Sequence, residues 1–320
     1  MPRLSLSILL ALAALAAAVC ARPSRDESPT LSTVPRTAHE AAQRAWHARR
    51  LATLVTPGRP LSYTGLTWLH PGANTIGADS TSAVRLVGRD VPARVGTLVR
   101  DGARVRFVPA PGVLARVDSE PSTLDSAGRW LRTDADSGGP SRVEIGSAGF
   151  RIVRRVDSIG VRSWDAERET VRHFAGVDLF PLDSAWRLAG RLVPLATPRR
   201  VAVLTESGVP EEHDIVGTVR ARIAGVPYDL TAFDGGRPTE LFIVFADATS
   251  GDESYGFRFL RAARDTATDV VTLDFNFAYN PDCAFSPYTT CPLPPPENRI
   301  RAAVRAGERA VAHPVVADAR

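Results

Sequence analysis

The stretch VGTLVRDGARVRFV, residues 95–108, contains two short apolar runs on either side of the dipeptide Asp101-Gly102. Aspartate followed by glycine favours the two-residue turn of a β-hairpin, because its central residues adopt positive φ angles. In the second run, arginines alternate with Val105 and Phe107. Successive side chains of a strand point to opposite faces, so this run presents one apolar face and one charged face. The stretch therefore predicts two antiparallel strands packed on a core.

Short apolar runs divided by turn residues continue on both sides of this hairpin. Residues 57–165 contain enough of them for one β-sandwich, whose usual size is about 100 residues. A second β domain is predicted over residues 166–311, and no linker separates it from the first. We therefore expect a mainly β fold in which the sandwich packs on the second domain.

Two helices are predicted at the ends of these β regions. An alanine-rich helix over residues 37–56 opens with Thr37 and Glu40, which have the spacing of a capping box. A short C-terminal helix is expected from Glu297 to about Ala306, because three prolines precede it and Gly307 follows it.

The composition is that of a globular protein and excludes several classes of function. Of the 320 residues, 44% are hydrophobic and 23% are charged, which excludes a disordered, collagen-like or polytopic membrane chain. Its 39 basic residues are all arginine, so a Schiff-base or P-loop lysine is impossible. A net charge of +4 without a basic stripe interleaved with aromatic residues predicts no nucleic-acid partner. The six histidines are scattered, and we predict no metal and no cofactor.

The N-terminus has the pattern of an export signal. Residues 1–21, MPRLSLSILLALAALAAAVCA, combine one arginine, an apolar run and small residues, as in a secretory signal peptide. Cleavage by ordinary signal peptidase after Ala18 or after Ala21 is one interpretation, and lipidation of Cys20 is the alternative. Residues 22–36 then form a polar, flexible leader, and residues 312–320 form a tail. We expect a periplasmic or extracellular protein that contacts a membrane only through a lipid anchor, if at all.

The other two cysteines, Cys283 and Cys291, lie in the loop sequence CAFSPYTTC. In an oxidising compartment this spacing predicts a disulfide. The alternative is a redox-active or metal-binding pair, although the usual two-residue spacing and a neighbouring histidine are missing.

Four segments resemble one family in the same order. Within residues 270–309, the run VTLDFNFAYNPDCAFSPYTTCPLPPPENRIRAAVRAGER is similar to the C-terminal signature of the uncharacterised proteins grouped as DUF1684. The others are GLTWLHPGANTIGAD (65–79), FPLDSAWRLAGRLVP (180–194) and FADATSGDESYGFRFL (245–260). The resemblance covers nearly the whole mature chain, but it implies no activity.

The first β region also resembles a forkhead-associated (FHA-like) sandwich. Thr75-Ile-Gly-Ala-Asp79, Val84-Arg-Leu86 and Gly96-Thr-Leu98 carry this similarity. The arginine, serine and histidine with which such domains read phosphothreonine are missing at the matching positions. The resemblance therefore implies architecture alone.

The densest polar cluster of the sequence lies in the C-terminal signature. Asp274 and Asn276 alternate with apolar residues, which predicts that both point to one face of a strand. With Asn280, Glu297 and Asn298 they form a candidate pocket for a polar ligand, or for acid–base chemistry by Asp274 or Glu297. The alternative is that these side chains hydrogen-bond the backbone of the long loop.

Tyr255 and Arg258 follow an acidic turn and complete the candidate site. Arg258 either binds an anionic group of a ligand or pairs with Asp274 or Glu253.

Three hypotheses for the function follow from these features. The first is an exported envelope protein that binds a small polar ligand or an envelope component through the C-terminal pocket. The second is a hydrolase or lyase that uses Asp274 or Glu297 as general acid or base. The third is an assembly protein whose FHA-like sandwich binds a protein partner of the envelope.

Overall fold

The computed structural model describes residues 29–122 and 127–311. The predicted signal peptide, Cys20 and the predicted tail lie outside the described residues. The described helices are α1 (Arg36–Leu54) and α2 (Glu169–Arg172), and all remaining regular structure consists of strands and short 3₁₀ turns. The mainly β fold predicted from the sequence is confirmed.

Two sheets, antiparallel except for one parallel pair of strands (Gly72–Gly77 with Val84–Arg85), follow α1 in the chain and enclose an apolar core. The first sheet contains, in spatial order, β1 (Tyr63–Trp68), β11 (Ser158–Asp165), β10 (Ala148–Arg155), β9 (Val143–Ile145), β6 (Ala115–Val117) and β7 (Glu120–Ser122). The second contains β3 (Val84–Arg85), β2 (Gly72–Gly77), β4 (Gly96–Asp101), β5 (Arg104–Pro109) and β8 (Arg129–Leu131). Phe107 and Phe150 meet edge to face in the core, with ring centroids 5.5 Å apart. This unit is called the sandwich below.

A closed barrel of six antiparallel strands forms the second half of the chain. Its strands are β12 (Arg187–Val203), β13 (Glu211–Ile223), β14 (Val226–Arg237), β15 (Glu240–Phe245), β16 (Arg258–Arg264) and β17 (Val270–Asp274). The barrel closes because β17 pairs with β12. Its interior is filled mainly by aliphatic residues, together with Phe245 and Phe275.

Helix α1 differs from the expectation at its start and on its inner face. Pro35 precedes the helix, and no side chain caps it, so the predicted capping box does not form. The proline supplies a fixed φ and begins the helix one residue before Thr37. The buried face carries His39, Gln43 and Leu54. Two polar side chains therefore lie between the helix and the barrel.

The predicted C-terminal helix is wrong. A 3₁₀ turn covers Pro296–Asn298, and the described residues 297–306 contain no α-helix. Instead, the backbone of Ala246, the residue directly after β15, donates to the carbonyl of Asn298 and accepts from the amide of Ile300. These long-range hydrogen bonds hold the segment extended along the barrel, and they replace the bonds that a helix would make.

An apolar cluster joins α1 to the cysteine loop. It contains Leu54 and Leu61 from the N-terminal side and Val177, Ala284 and Phe285 from the C-terminal side. Along the part of the chain that the structure describes, no helix is both long and apolar enough to cross a membrane.

Candidate functional site

Asp274 and Asn276 do not share one face of a strand as predicted. Strand β17 ends at Asp274, and Asn276 lies in a 3₁₀ turn, Phe275–Phe277. The carboxylate of Asp274 accepts hydrogen bonds from the amide of Asn276 and from its side-chain nitrogen, at 3.2 and 2.9 Å. This local capping ends the strand. The other carboxylate oxygen lies 2.7 Å from Nε2 of His39, on α1.

Asn276 is fully buried and holds three segments together. Its side chain accepts from the amide of Asp183 and donates to the carbonyl of the same residue, at 3.0 and 2.9 Å. Its own carbonyl accepts from Gln43 of α1 at 3.0 Å. Every polar atom of this side chain therefore has a partner within the chain.

Arg258 is also fully buried, and its predicted partners are wrong. It donates to Asp247 at 2.7 Å, and neither side chain is exposed to solvent. Two further donors reach the carbonyls of Val304 and Ala306, at 2.8 and 2.6 Å. Burial lowers the pKa of Arg258, and the charge of Asp247 opposes this shift. Glu253, one of the expected partners, pairs with Arg305 instead.

Asn280 belongs to a different buried group, together with Arg50 of α1 and Glu308. The amide of Asn280 donates to the carboxylate of Glu308 at 2.8 Å, and its carbonyl accepts from Arg50 at 2.8 Å. Arg50 also pairs with Glu308 at 3.2 Å. Burial raises the pKa of Glu308, and the charge of Arg50 opposes this increase.

Asn298 and Glu297 lie on the side of the barrel at β14 and β15. Asn298 is fully buried, and its side chain bonds the backbone of Thr231 and Val244. Glu297 is exposed and accepts from the hydroxyl of Thr231. The two carboxylates share no partner: Glu297 accepts from Thr231 on β14, whereas Asp274 contacts His39 on α1.

Tyr255 lies beside the cysteine loop. Its hydroxyl donates to Glu206 at 2.8 Å, and burial and the neighbouring Cys283 raise the pKa of Tyr255. Cys283 and Cys291 are free thiols in the structure, and the amide of Cys283 donates to Sγ of Cys291 at 3.1 Å. The predicted disulfide is therefore not formed here, although the two residues are in contact.

The seven predicted site residues are thus placed in five separate groups. The structure brings together Asp274 with Asn276, and Glu297 with Asn298, while Arg258, Asn280 and Tyr255 each have other partners. Most of their hydrogen bonds go to backbone groups, which supports the interpretation that they hold loops and strand ends. His39, Asp247 and Glu308 complete these groups. His39 is 235 residues from its partner Asp274, whereas Asp247 is 11 residues from Arg258 and Glu308 lies within the C-terminal signature itself.

A cleft of about 530 Å³ opens in the sandwich, away from these groups. Apolar residues form most of its lining: Pro57, Leu114, Ala115, Ala148, Trp164 and Ala166. Glu144 and Arg116 add charged groups. The described residues include no group of three or more metal-ligating side chains.

Trp164 is fixed at this cleft by the residues on both sides of its ring. A Cβ at Gly149, its partner on β10, would lie 2.4 Å from the indole, so only glycine allows the ring to lie flat on the sheet. The guanidinium of Arg142 lies 4.5 Å from the ring centroid. Arg142 also donates to the carbonyl of Pro57 and to Glu144, at 3.0 and 3.3 Å. The wall of the cleft is therefore pre-formed.

Among the solved structures, the chain is similar to an uncharacterised protein from Haloarcula marismortui, determined in solution by NMR. It is 35% identical in sequence over 45% of this chain and 82% of that protein, with a TM-score of 0.39. None of the curated proteins matches the chain.

A family model described as a protein of unknown function, DUF1684, matches residues 172–309. The matched range contains the barrel and the extended C-terminal segment, which agrees with the resemblance seen in the sequence. Through this half, the chain belongs to the DUF1684 family.

Proposed function

We propose that this chain is an exported binding protein that holds a small amphiphilic molecule in the sandwich cleft, without chemistry of its own. The observation that carries the proposal is the cleft beside Trp164, whose volume of about 530 Å³ lies within the usual range for ligand pockets. Its apolar lining suits the body of such a molecule, and Arg116 and Glu144 suit a polar end group. The C-terminal polar residues bind backbone groups instead, so the cleft is the better candidate.

The dye 8-anilinonaphthalene-1-sulfonate tests this proposal, because it combines an aromatic body with a polar end. We expect the wild-type chain to bind it with saturable fluorescence. The substitution Ala166→Phe places a ring in the cleft, and Ala110→Phe is the matched control at a half-buried alanine outside the lining. Binding should be lost in Ala166→Phe and kept in the control. Equal binding by both variants would contradict the proposal.

The export part of the proposal rests on the pattern of residues 1–21. Mass spectrometry of the chain isolated from cells separates the two forms of processing. A mature protein that begins with a lipidated Cys20 supports an anchor, and one that begins at Val19 or at Arg22 supports free secretion. An intact N-terminus in the cytoplasm would contradict export.

A second candidate function is acid–base catalysis at Asp274. The hydrogen bond of 2.7 Å between its carboxylate and His39 favours this hypothesis, because such a carboxylate orients an imidazole as a general base. A panel of p-nitrophenyl esters and phosphates provides the test. Activity that disappears in Asp274→Asn while the fold is kept supports catalysis, and inactivity of the wild-type chain on the whole panel counts against hydrolysis.

A further inference from the structure

Two arginines face each other on the outer side of the first sheet of the sandwich. Arg151 on β10 and Arg162 on β11 are direct cross-strand partners. Their neighbours Ile152 and Val161 point into the core, so both arginines point away from it. Like charges placed directly opposite each other destabilise a sheet. A charge arrangement of this kind needs a compensating group.

Both guanidinium groups lie near one aromatic ring and use only part of their donors. They are 5.4 and 5.3 Å from the ring centroid of Tyr63. Arg151 donates to the carbonyl of Gly58 at 3.2 Å and to the Tyr63 hydroxyl. Arg162 donates through Nε to the carbonyl of Tyr288 at 2.9 Å. Nε of Arg151 and one terminal nitrogen of Arg162, Nη2, are buried and have no hydrogen-bond partner.

No carboxylate of the described residues lies within ion-pair distance of either arginine, although the charges of Asp134 and Glu211 act on Arg162 from farther away. The nearby acids Asp134 and Glu211 lie 2.8 and 3.5 Å from Arg155, and neither forms an ion pair with Arg151 or Arg162. Burial lowers the pKa of Arg162; Tyr63 and Asp134 oppose this shift, and the charges of Arg151 and Arg155 add to it. The region therefore combines a surplus of positive charge with hydrogen-bond donors that have no acceptor. Each of these features destabilises the folded state when it is buried.

We propose that Arg151 and Arg162 form a binding site for a small oxyanion, a phosphate or a carboxylate group. Such a group accepts hydrogen bonds from both unpaired nitrogens and separates the two like charges. The site lies where three segments meet: the turn after α1 at Gly58, the outer face of the sandwich, and the cysteine loop at Tyr288. A bound oxyanion therefore ties the sandwich to the C-terminal half. The proposal is independent of the cleft and of its ligand.

Thermal unfolding of the full mature chain in different sodium salts tests this site. The probes are inorganic phosphate and acetate, compared with chloride at the same ionic strength. We expect phosphate or acetate to raise the midpoint by roughly 3 °C or more above the chloride value, because a ligand that binds only the folded state stabilises it. The salt, phosphate or acetate, that raises the unfolding midpoint more identifies the preferred oxyanion. Equal midpoints in all three salts would overturn the proposal.

Two variants show whether the effect belongs to this pair of arginines. Arg151→Gln and Arg162→Gln should each abolish the rise in phosphate or acetate relative to chloride. Arg104→Gln is the matched control, since Arg104 lies over the ring of Trp130 on the other sheet at 3.9 Å. It should keep the full rise. If Arg162→Gln does not fold, Arg151→Gln decides, because Arg151 is the less buried of the two. A rise that survives in Arg151→Gln would overturn the proposal.

Discussion

Asn298 takes the place of a strand contact in the wall of the barrel. The direct pairing of β14 with β15 extends only to Phe233 and Phe242. Beyond that point, the side chain of Asn298 accepts from the amide of Thr231 at 2.7 Å and donates to the carbonyls of Thr231 and Val244, at 3.0 and 2.8 Å. One amide side chain thus satisfies three buried backbone groups, which no apolar residue can do.

We predict that Asn298→Ala destabilises the chain by at least about 2 kcal/mol, because a buried backbone group without a partner costs roughly 1–3 kcal/mol. Asn298→Asp should destabilise the chain at least as much. The second carboxylate oxygen of the aspartate would face the carbonyls of Thr231 and Val244 and has no proton to donate to them. Urea unfolding measures the loss. The adjacent exposed residue gives the control: Glu297→Ala should cost less than about 1 kcal/mol. Equal losses for Asn298→Ala and Glu297→Ala would show that the bridge contributes nothing.

The two thiols of the cysteine loop are expected to react slowly. Burial raises the pKa of Cys283, with Cys291 contributing, so little thiolate forms at neutral pH. In the reduced, folded chain we predict slow alkylation by iodoacetamide and rapid alkylation after unfolding. Fast reaction of the folded chain would refute this.

The disulfide remains a separate prediction for protein taken from an oxidising compartment. Thiol counting under denaturing, non-reducing conditions should then find neither Cys283 nor Cys291 free. Two free thiols in such protein would exclude a structural disulfide.

At the scale of elements, the long hairpin of β12 and β13 extends beyond the barrel and covers an aromatic cluster. Its register shifts between Pro194 and Arg199, and the outer part packs on Phe233 and Phe242. His213 lies in this outer part, 5.4 Å from the ring of Phe233. Burial lowers the pKa of His213, and the nearby positive charge of Arg155 adds to the effect. The folded state therefore resists protonation of this imidazole.

This arrangement predicts how the stability depends on pH. The unfolded chain takes up a proton at His213 near its ordinary pKa of 6.5, and the folded chain does so only at lower pH. The contribution of His213 is thus fully present above pH 6.5 and is lost as the pH falls below that value. His213→Phe should flatten the decrease in the free energy of unfolding between pH 6.5 and lower pH, measured by urea titration at several pH values. An unchanged slope would contradict the prediction.

The sequence predicts local elements better than long-range ones, for a physical reason. The hairpin predicted from Asp101-Gly102 forms by turn chemistry within a few residues, but its turn is one residue later: β4 ends at Asp101, β5 begins at Arg104, and Gly102-Ala103 joins them. The expected helix after Glu297 does not form, because the backbone of this segment hydrogen-bonds to a residue far away in sequence, Ala246. The same applies to the candidate site: Asp274 caps its own turn, but its second partner, His39, is 235 residues away in sequence. The pattern of apolar and polar residues in either segment does not indicate that contact.

At the scale of the whole molecule, helix α1 precedes the sandwich in sequence but packs against the C-terminal half. His39, Gln43 and Arg50 each bond a residue that follows β16. The range matched by the family model, 172–309, does not include α1. Buried groups inside that range nevertheless bond this helix. The sandwich is inserted between α1 and the barrel along the chain. Stability of the C-terminal half should then depend on residues at the N-terminus.

Arg50 provides the sharpest test of this dependence, because it is the cation beside a fully buried carboxylate. Glu308 has no exposed side-chain surface, Arg50 has 13%, and they are 3.2 Å apart. Removing one partner of a buried ion pair costs about 3–5 kcal/mol. We predict that Arg50→Met lowers the free energy of unfolding by this amount, measured by urea titration in the transition in which the barrel unfolds. The double variant Arg50→Met/Glu308→Gln should recover part of it, since no buried charge is then left unpaired. Arg49→Met, at the adjacent exposed arginine, is the control and should change stability by less than about 0.5 kcal/mol. If Arg50→Met costs no more than Arg49→Met, α1 is not a structural part of the C-terminal half.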